Sequence, residues 1–177
     1  ESLMALQYAR PDADLAAGDW VDNASGTSNL YSKIDEAGSA VDSSDHIKTE
    51  QMMPAETTVK FRLSDVDDPS RSDLHQIKYT AKRVGARDLT VTLYDGASSI
   101  VANTNSSLTT SYVEYTITLT AGQANSIGDY TDLRLWFTAV GTSSEVILIS
   151  QAFVEVPSEE VPAGGVAANA LALGLFD

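Results

Sequence analysis

The chain has 177 residues, of which 43% are hydrophobic, 25 are acidic, 11 are basic and none is cysteine. That length fits one domain with or without a tail, and folding would bury roughly 70% of the unfolded surface without a disulfide or structural zinc. The missing cysteine excludes thiol catalysis, Cys-ligated zinc and iron–sulfur chemistry. A formal charge of −14 argues against a nucleic-acid partner, whose phosphates are met by Lys and Arg. No apolar run approaches the ~20 residues of a membrane helix, so no membrane partner is expected either.

Taken in chain order, Trp20, between Asp19 and Val21, reads as a plug at one end of the fold. Leu30, Ser32 and Ile34 share a face, Asp35–Asp45 is loop, and His46–Glu50 reads as a short strand. From Thr57 onward apolar residues alternate with polar ones, the period of half-buried strands. The inward sets are Val59/Phe61/Leu63, Ile77/Tyr79/Ala81, Leu89/Val91/Leu93, Val113/Tyr115/Ile117/Leu119 and Leu133/Leu135/Phe137/Ala139. A last strand, from about Glu145 to Val156, opens with the unbroken run Val146–Ile149, as a strand covered on both faces would.

Asp65–Asp73 with Pro69, Val84–Arg87 with Gly85 and the hairpin signal Asp95-Gly96 separate the strands. Thr120 and Gln123 stand at capping-box spacing and predict one helical turn over Ala121–Ile127. The expected fold is all-β: a two-sheet antiparallel β-sandwich, jelly-roll-like, with one short helical turn. An immunoglobulin-like strand order is the alternative, because alternation does not reveal pairing. The domain spans 1–157, and residues 158–177 form an Ala/Leu-rich C-terminal tail.

Catalysis has little support. Only His46 and His75 are available as imidazole bases, both read as surface or strand-end residues, and no serine lies in a Gly-x-Ser-x-Gly elbow. Paired carboxylates are plentiful, but nothing selects one pair for glycoside hydrolysis; no catalytic residue and no cofactor is assigned. Asp65, Asp67 and Asp68 form the best candidate metal loop, and calcium is the ion such oxygens would take. Asp12, Asp14, Asp19 and Asp22 form a looser set.

If Leu135 and Phe137 face the core, Trp136 faces outward. An outward Trp either stacks on a sugar, with Tyr94 or Tyr130 beside it, or fills a pocket of a protein partner, unless a loop covers it. Lys60, Arg62, Lys78 and Lys82 share the outward parity of two strands and would make a basic sheet face able to meet an acidic one on another copy. Leu171, Leu173, Leu175 and Phe176 of the tail would add an apolar assembly contact.

Several strings carry a resemblance: Arg10–Asp14 (RPDAD), Gly18–Trp20 (GDW), Leu30–Glu36 (LYSKIDE), Leu63–Pro69 (LSDVDDP) and Leu89–Gly96 (LTVTLYDG). With Leu119–Phe137 and Val154–Pro157, they are similar to a β-sandwich type of structural proteins in tailed bacteriophages. The resemblance covers Tyr8–Pro157 and rests on turns, the helical cap and core strands. It implies a non-catalytic virion structural protein on the surface of head or tail. Foremost is a capsid decoration or cement protein, a homo-oligomer such as a trimer that contacts other virion proteins such as the major capsid protein. The alternative is a carbohydrate- or receptor-binding module of a tail or fibre, whose partner is a surface glycan. Trp136 departs from the polar residue that the resemblance implies at that position.

Overall fold

The computed structural model describes residues 5–36, 42, 44–50, 54–141 and 145–158. Its strands are β1 (Leu6–Ala9), β2 (Pro11–Ala16), β3 (Trp20–Asp22), β4 (Ile47–Thr49), β5 (Glu56–Leu63), β6 (Gln76–Val84), β7 (Asp88–Asp95), β8 (Ser98–Asn105), β9 (Val113–Thr118), β10 (Leu133–Val140) and β11 (Val146–Pro157). A single α-helical turn, α1 (Ala121–Asn125), lies between β9 and β10. One antiparallel sheet runs β3-β4-β11-β6-β9, with β1 also on β11; the second runs β2-β5-β10-β7-β8. From β4 onward every connection except the β7–β8 hairpin crosses from one sheet to the other. This is the jelly-roll order, and it sets aside the immunoglobulin-like alternative.

The core follows from the alternation. Leu135 on β10 sits between Phe61 on β5 and Leu93 on β7, and Phe137 sits between Val59 and Val91. All six are fully buried. Tyr79 of β6 crosses the gap edge-on to Phe137, with ring centroids 6.2 Å apart, joining the two sheets. Trp20 is completely buried and donates its indole N–H to the Thr57 carbonyl at 3.3 Å. It lies in the core on β3, the edge strand of its sheet.

Three local expectations changed. Leu30, Ser32 and Ile34 do not form a strand face. Leu30–Lys33 is a 3-10 turn that buries Leu30 and Ile34, because both Asp14 carboxylate oxygens accept its first amides, from Leu30 at 2.9 Å and Tyr31 at 2.8 Å. In β11 the doubly covered segment is Ser150–Pro157, whereas Val146 and Leu148 stay half-buried. The shift follows a bulge between Ile149 and Gln151, after which Tyr8 packs edge-on against Phe153 and Lys78 pairs with Glu155 at 3.1 Å. Finally, Val113, placed inward with Tyr115, Ile117 and Leu119, is exposed, because β9 is the edge strand of its sheet; β8, the edge of the other sheet, is likewise largely exposed and lacks clean alternation. The helical cap stands as its spacing predicted: Gln123 N–H donates to the Thr120 hydroxyl at 3.3 Å and Thr120 N–H to the Gln123 side-chain oxygen at 2.9 Å.

Gly18 makes the turn from β2 to β3 at φ +57°, and a Cβ there would run into the Thr58 carbonyl. Gly18→Ala is therefore expected to lower stability by roughly 1–3 kcal/mol through backbone strain, read as a drop in urea midpoint. An unchanged midpoint would mean that the turn rearranges freely.

Candidate functional site

The outer face of the β2-β5-β10-β7-β8 sheet collects the side chains that the inward set leaves over. Across the middle, Trp136 on β10 pairs with Lys60 on β5 and with Thr92 on β7. One step along, Arg134 pairs with Arg62 and Tyr94; one step the other way, Thr138 pairs with Thr58 and Thr90. Tyr94 thus reaches Trp136 diagonally, the distance at which long aromatic side chains meet across a sheet. Their ring centroids are 4.1 Å apart at an interplanar angle of 32°. Lys60 Nζ lies 3.8 Å from the indole centroid, a cation–π contact. Since β5 and β7 flank β10 on opposite sides, Lys60 and Tyr94 approach the indole from opposite sides.

Around this cluster the surface is polar and ordered. Thr58 and Thr138 hydroxyls hydrogen-bond at 2.8 Å, as do those of Thr90 and Thr104. The result is a row of four threonines across β5, β10, β7 and β8. Arg62 makes a two-pronged contact with Asp12, both bonds 2.9 Å, and Arg134 does the same with Asp132, both 3.0 Å. These fork-to-carboxylate pairs hold both guanidinium groups in place. The Asp12 contact also holds the Arg62 pKa above its ordinary value.

Other expected site residues lie elsewhere. Lys78 and Lys82 belong to β6 in the opposite sheet, so with Lys60 and Arg62 they do not form one basic face. Parity within each strand was legible, but sheet membership depends on pairing. Lys78 is spent on Glu155, and Lys82 sits 4.4 Å over the Tyr112 ring. Tyr130 is not a platform residue: it is buried and hydrogen-bonded to His75 at 2.8 Å, and burial pushes its pKa up to about 12.

Among the described residues no three His, Asp or Glu side chains converge as a metal site. Within the Asp65/Asp67/Asp68 loop, Asp67 N–H donates to the Gln7 side-chain oxygen and Asp68 accepts from Ser70 N–H, both at 2.8 Å, as turn residues do. In the looser set, Asp12 holds Arg62, Asp14 caps the 3-10 turn and Asp22 closes a turn onto Ala24 and Gly26. The tail residues Leu171, Leu173, Leu175 and Phe176 lie outside the described residues.

His75 ends a loop, as expected, but it is fully buried rather than at the surface. Its Nδ1 lies 2.9 Å from the Asp73 carbonyl, which only accepts, so Nδ1 carries the proton and Nε2 accepts from the Tyr130 hydroxyl. Burial, the largest cause, lowers its pKa. The folded state thus favours neutral histidine. The associated stability is fully present above the unfolded value near ~6.5 and is lost as pH falls through the lower folded value. Urea midpoints measured from neutral pH downward should fall less steeply in His75→Gln than in wild type; parallel curves would refute the assignment.

No protein-family model matches the chain, and no curated protein matches it. Similar solved structures include a xylan-binding module, CBM15, at 16% identity and TM-score 0.48, covering 90% of this chain and 100% of that one. TmCBM61 in complex with β-1,4-galactotriose is similar at 7% identity and TM-score 0.44, with 84% and 86% covered. The enzymatically active domain of bacteriophage CBA120 tailspike protein 4 is similar at 6% identity and TM-score 0.44, covering 87% of this chain and 19% of that one. None of these three reaches a TM-score of 0.5.

Proposed function

We propose that this chain is a non-catalytic glycan-binding β-sandwich module whose site is the outer face around Trp136. The observation that carries this reading is the Trp136–Tyr94 pair set in the middle of an outward sheet face. An indole presents an apolar, electron-rich surface to the C–H bonds of a sugar ring, while hydroxyl groups beside it meet the sugar's own. The four-threonine row and the two fixed arginines supply that polar surround. Five strands at ~4.8 Å spacing make a face roughly 19 Å across, the dimension of an oligosaccharide rather than a single sugar.

Capsid decoration is less well supported by the same geometry. Its basic face is divided between two sheets. On the phage resemblance, the module would belong to a tail or fibre that meets a host glycan. Affinity electrophoresis through polysaccharide-containing gels, guided by a broad glycan array, tests the reading. Wild type should be retarded and Trp136→Ala should not. A wild-type protein that binds nothing on the array, or a Trp136→Ala protein that binds as well, would overturn it.

A further inference from the structure

We infer that the glycan taken by this face is anionic, carrying carboxylate or sulfate groups, and that Lys60 selects it. This inference rests on the glycan-binding reading above. Three cations stand on the face, and two are neutralised by two-pronged carboxylate contacts, Arg62 by Asp12 and Arg134 by Asp132. Lys60 differs: among the described residues no carboxylate pairs with it, and its ammonium rests on the Trp136 ring. In a chain of net charge −14, one cation left unneutralised beside an aromatic platform marks that spot off from the surface around it. Screening over ~8 Å at physiological salt keeps its field local.

Binding itself would release this cation. Lys60 and Tyr94 hold the indole from opposite sides, so a sugar that stacks on Trp136 has to displace one of them. Tyr94 is a rigid ring whose centroid lies 4.1 Å from the indole's, whereas Lys60 is a flexible four-carbon stem held there by a single cation–π contact. Lys60 is therefore the one that swings away. Its ammonium stays within reach of the sugar that replaced it and needs an acceptor there. A neutral sugar offers only hydroxyls, while an anionic one exchanges the cation–π contact for an ion pair.

A second donor points the same way. Trp136 Nε1 is buried and has no hydrogen-bond partner among the described residues, which is unfavourable for a donor taken out of water. The Lys60 ammonium lies 3.8 Å from the indole centroid, so a group that pairs with it comes within reach of the indole edge. The site then presents an ammonium and an indole N–H together, both donors. An anionic group has oxygens enough for both.

The test is titration calorimetry on polygalacturonate and on its methyl ester, with dextran sulfate and dextran as the sulfate pair. Wild type is compared with Lys60→Met, which keeps the stem and removes the charge; thermal unfolding checks that both are folded. Wild type should bind at least one charged member ten times more tightly than its neutral counterpart, and Lys60→Met should bring that ratio close to one. Preference for polygalacturonate alone identifies carboxylate as the group, and preference for dextran sulfate alone identifies sulfate. Equal wild-type binding to charged and neutral members would overturn anion selection while leaving glycan binding intact. Selectivity that persists in Lys60→Met would remove Lys60 from the role. No binding to these polymers or to any array glycan would remove the underlying reading as well.

Discussion

Replacing Trp136 with alanine is expected to weaken glycan binding by about 2 kcal/mol or more, roughly 30-fold, while leaving the fold in place. A central, well-packed tryptophan is the commonest kind of residue whose truncation costs that much at a binding surface. The stability cost should be smaller. Trp136 is only partly buried and points away from the core, so the losses are its contact with Tyr94, ~0.5–1.5 kcal/mol, and that with Lys60, ~0.5–1 kcal/mol. Removing the unpaired buried N–H returns part of this. Calorimetric titration beside urea denaturation separates the two quantities. A large fall in the urea midpoint with little change in affinity would mean that Trp136 is structural.

Trp20→Ala should do the reverse, costing ~3–5 kcal/mol of stability, the range for an aromatic removed from a packed core. Its side chain is wholly buried, packs in the core cluster with Leu30, Ile34 and Ile47, and donates to Thr57 O. Truncation leaves a cavity in the core and an acceptor without its donor. Against a typical stability of ~5–15 kcal/mol, the variant should be close to unfolding at 37 °C. It should bind glycan normally while folded, because β3 lies in the other sheet from the site. The two tryptophans thus make a paired experiment: one substitution moves the urea midpoint, the other the affinity. If both moved the same quantity, the division between core and face would be wrong.

How much of this was legible in the sequence varies with the kind of feature. Strands β5, β6, β7 and β10 were read from alternation because one face of each is buried, which imposes period two on the residues. The cap at α1 was legible because its partners are three residues apart. The 3-10 turn at Leu30–Lys33 was not, because the group that shapes it, Asp14, comes from another strand. β8 was recognisable mainly from its hairpin, since an exposed edge strand places little demand on its side chains. The burial of Ser150–Pro157 was not legible because the polar Gln151 and Glu155 interrupt its apolar pattern, and the groups that pair with them, Glu36 O and Lys78, come from distant parts of the chain.

The candidate site divides in the same way. That Trp136 faces outward followed from its position between Leu135 and Phe137, but residue type left Tyr94 and Tyr130 as equal companions, and only the fold places Tyr94 beside it and buries Tyr130. Which of Lys60, Arg62, Lys78 and Lys82 stand near it depended on which strands pair, and pairing is a long-range choice that one strand's pattern does not record. The sequence by itself determined an all-β chain, the facing of the residues on β5, β7 and β10, its cap and its lack of cysteine chemistry. All of these rest on local spacing or composition. Only the tertiary structure decided that the order is jelly-roll, that the four basic residues separate onto two sheets, and that Lys60, Trp136 and Tyr94 meet on one face. Each of those depends on contacts between residues tens of positions apart, which form when the two sheets close on a common core.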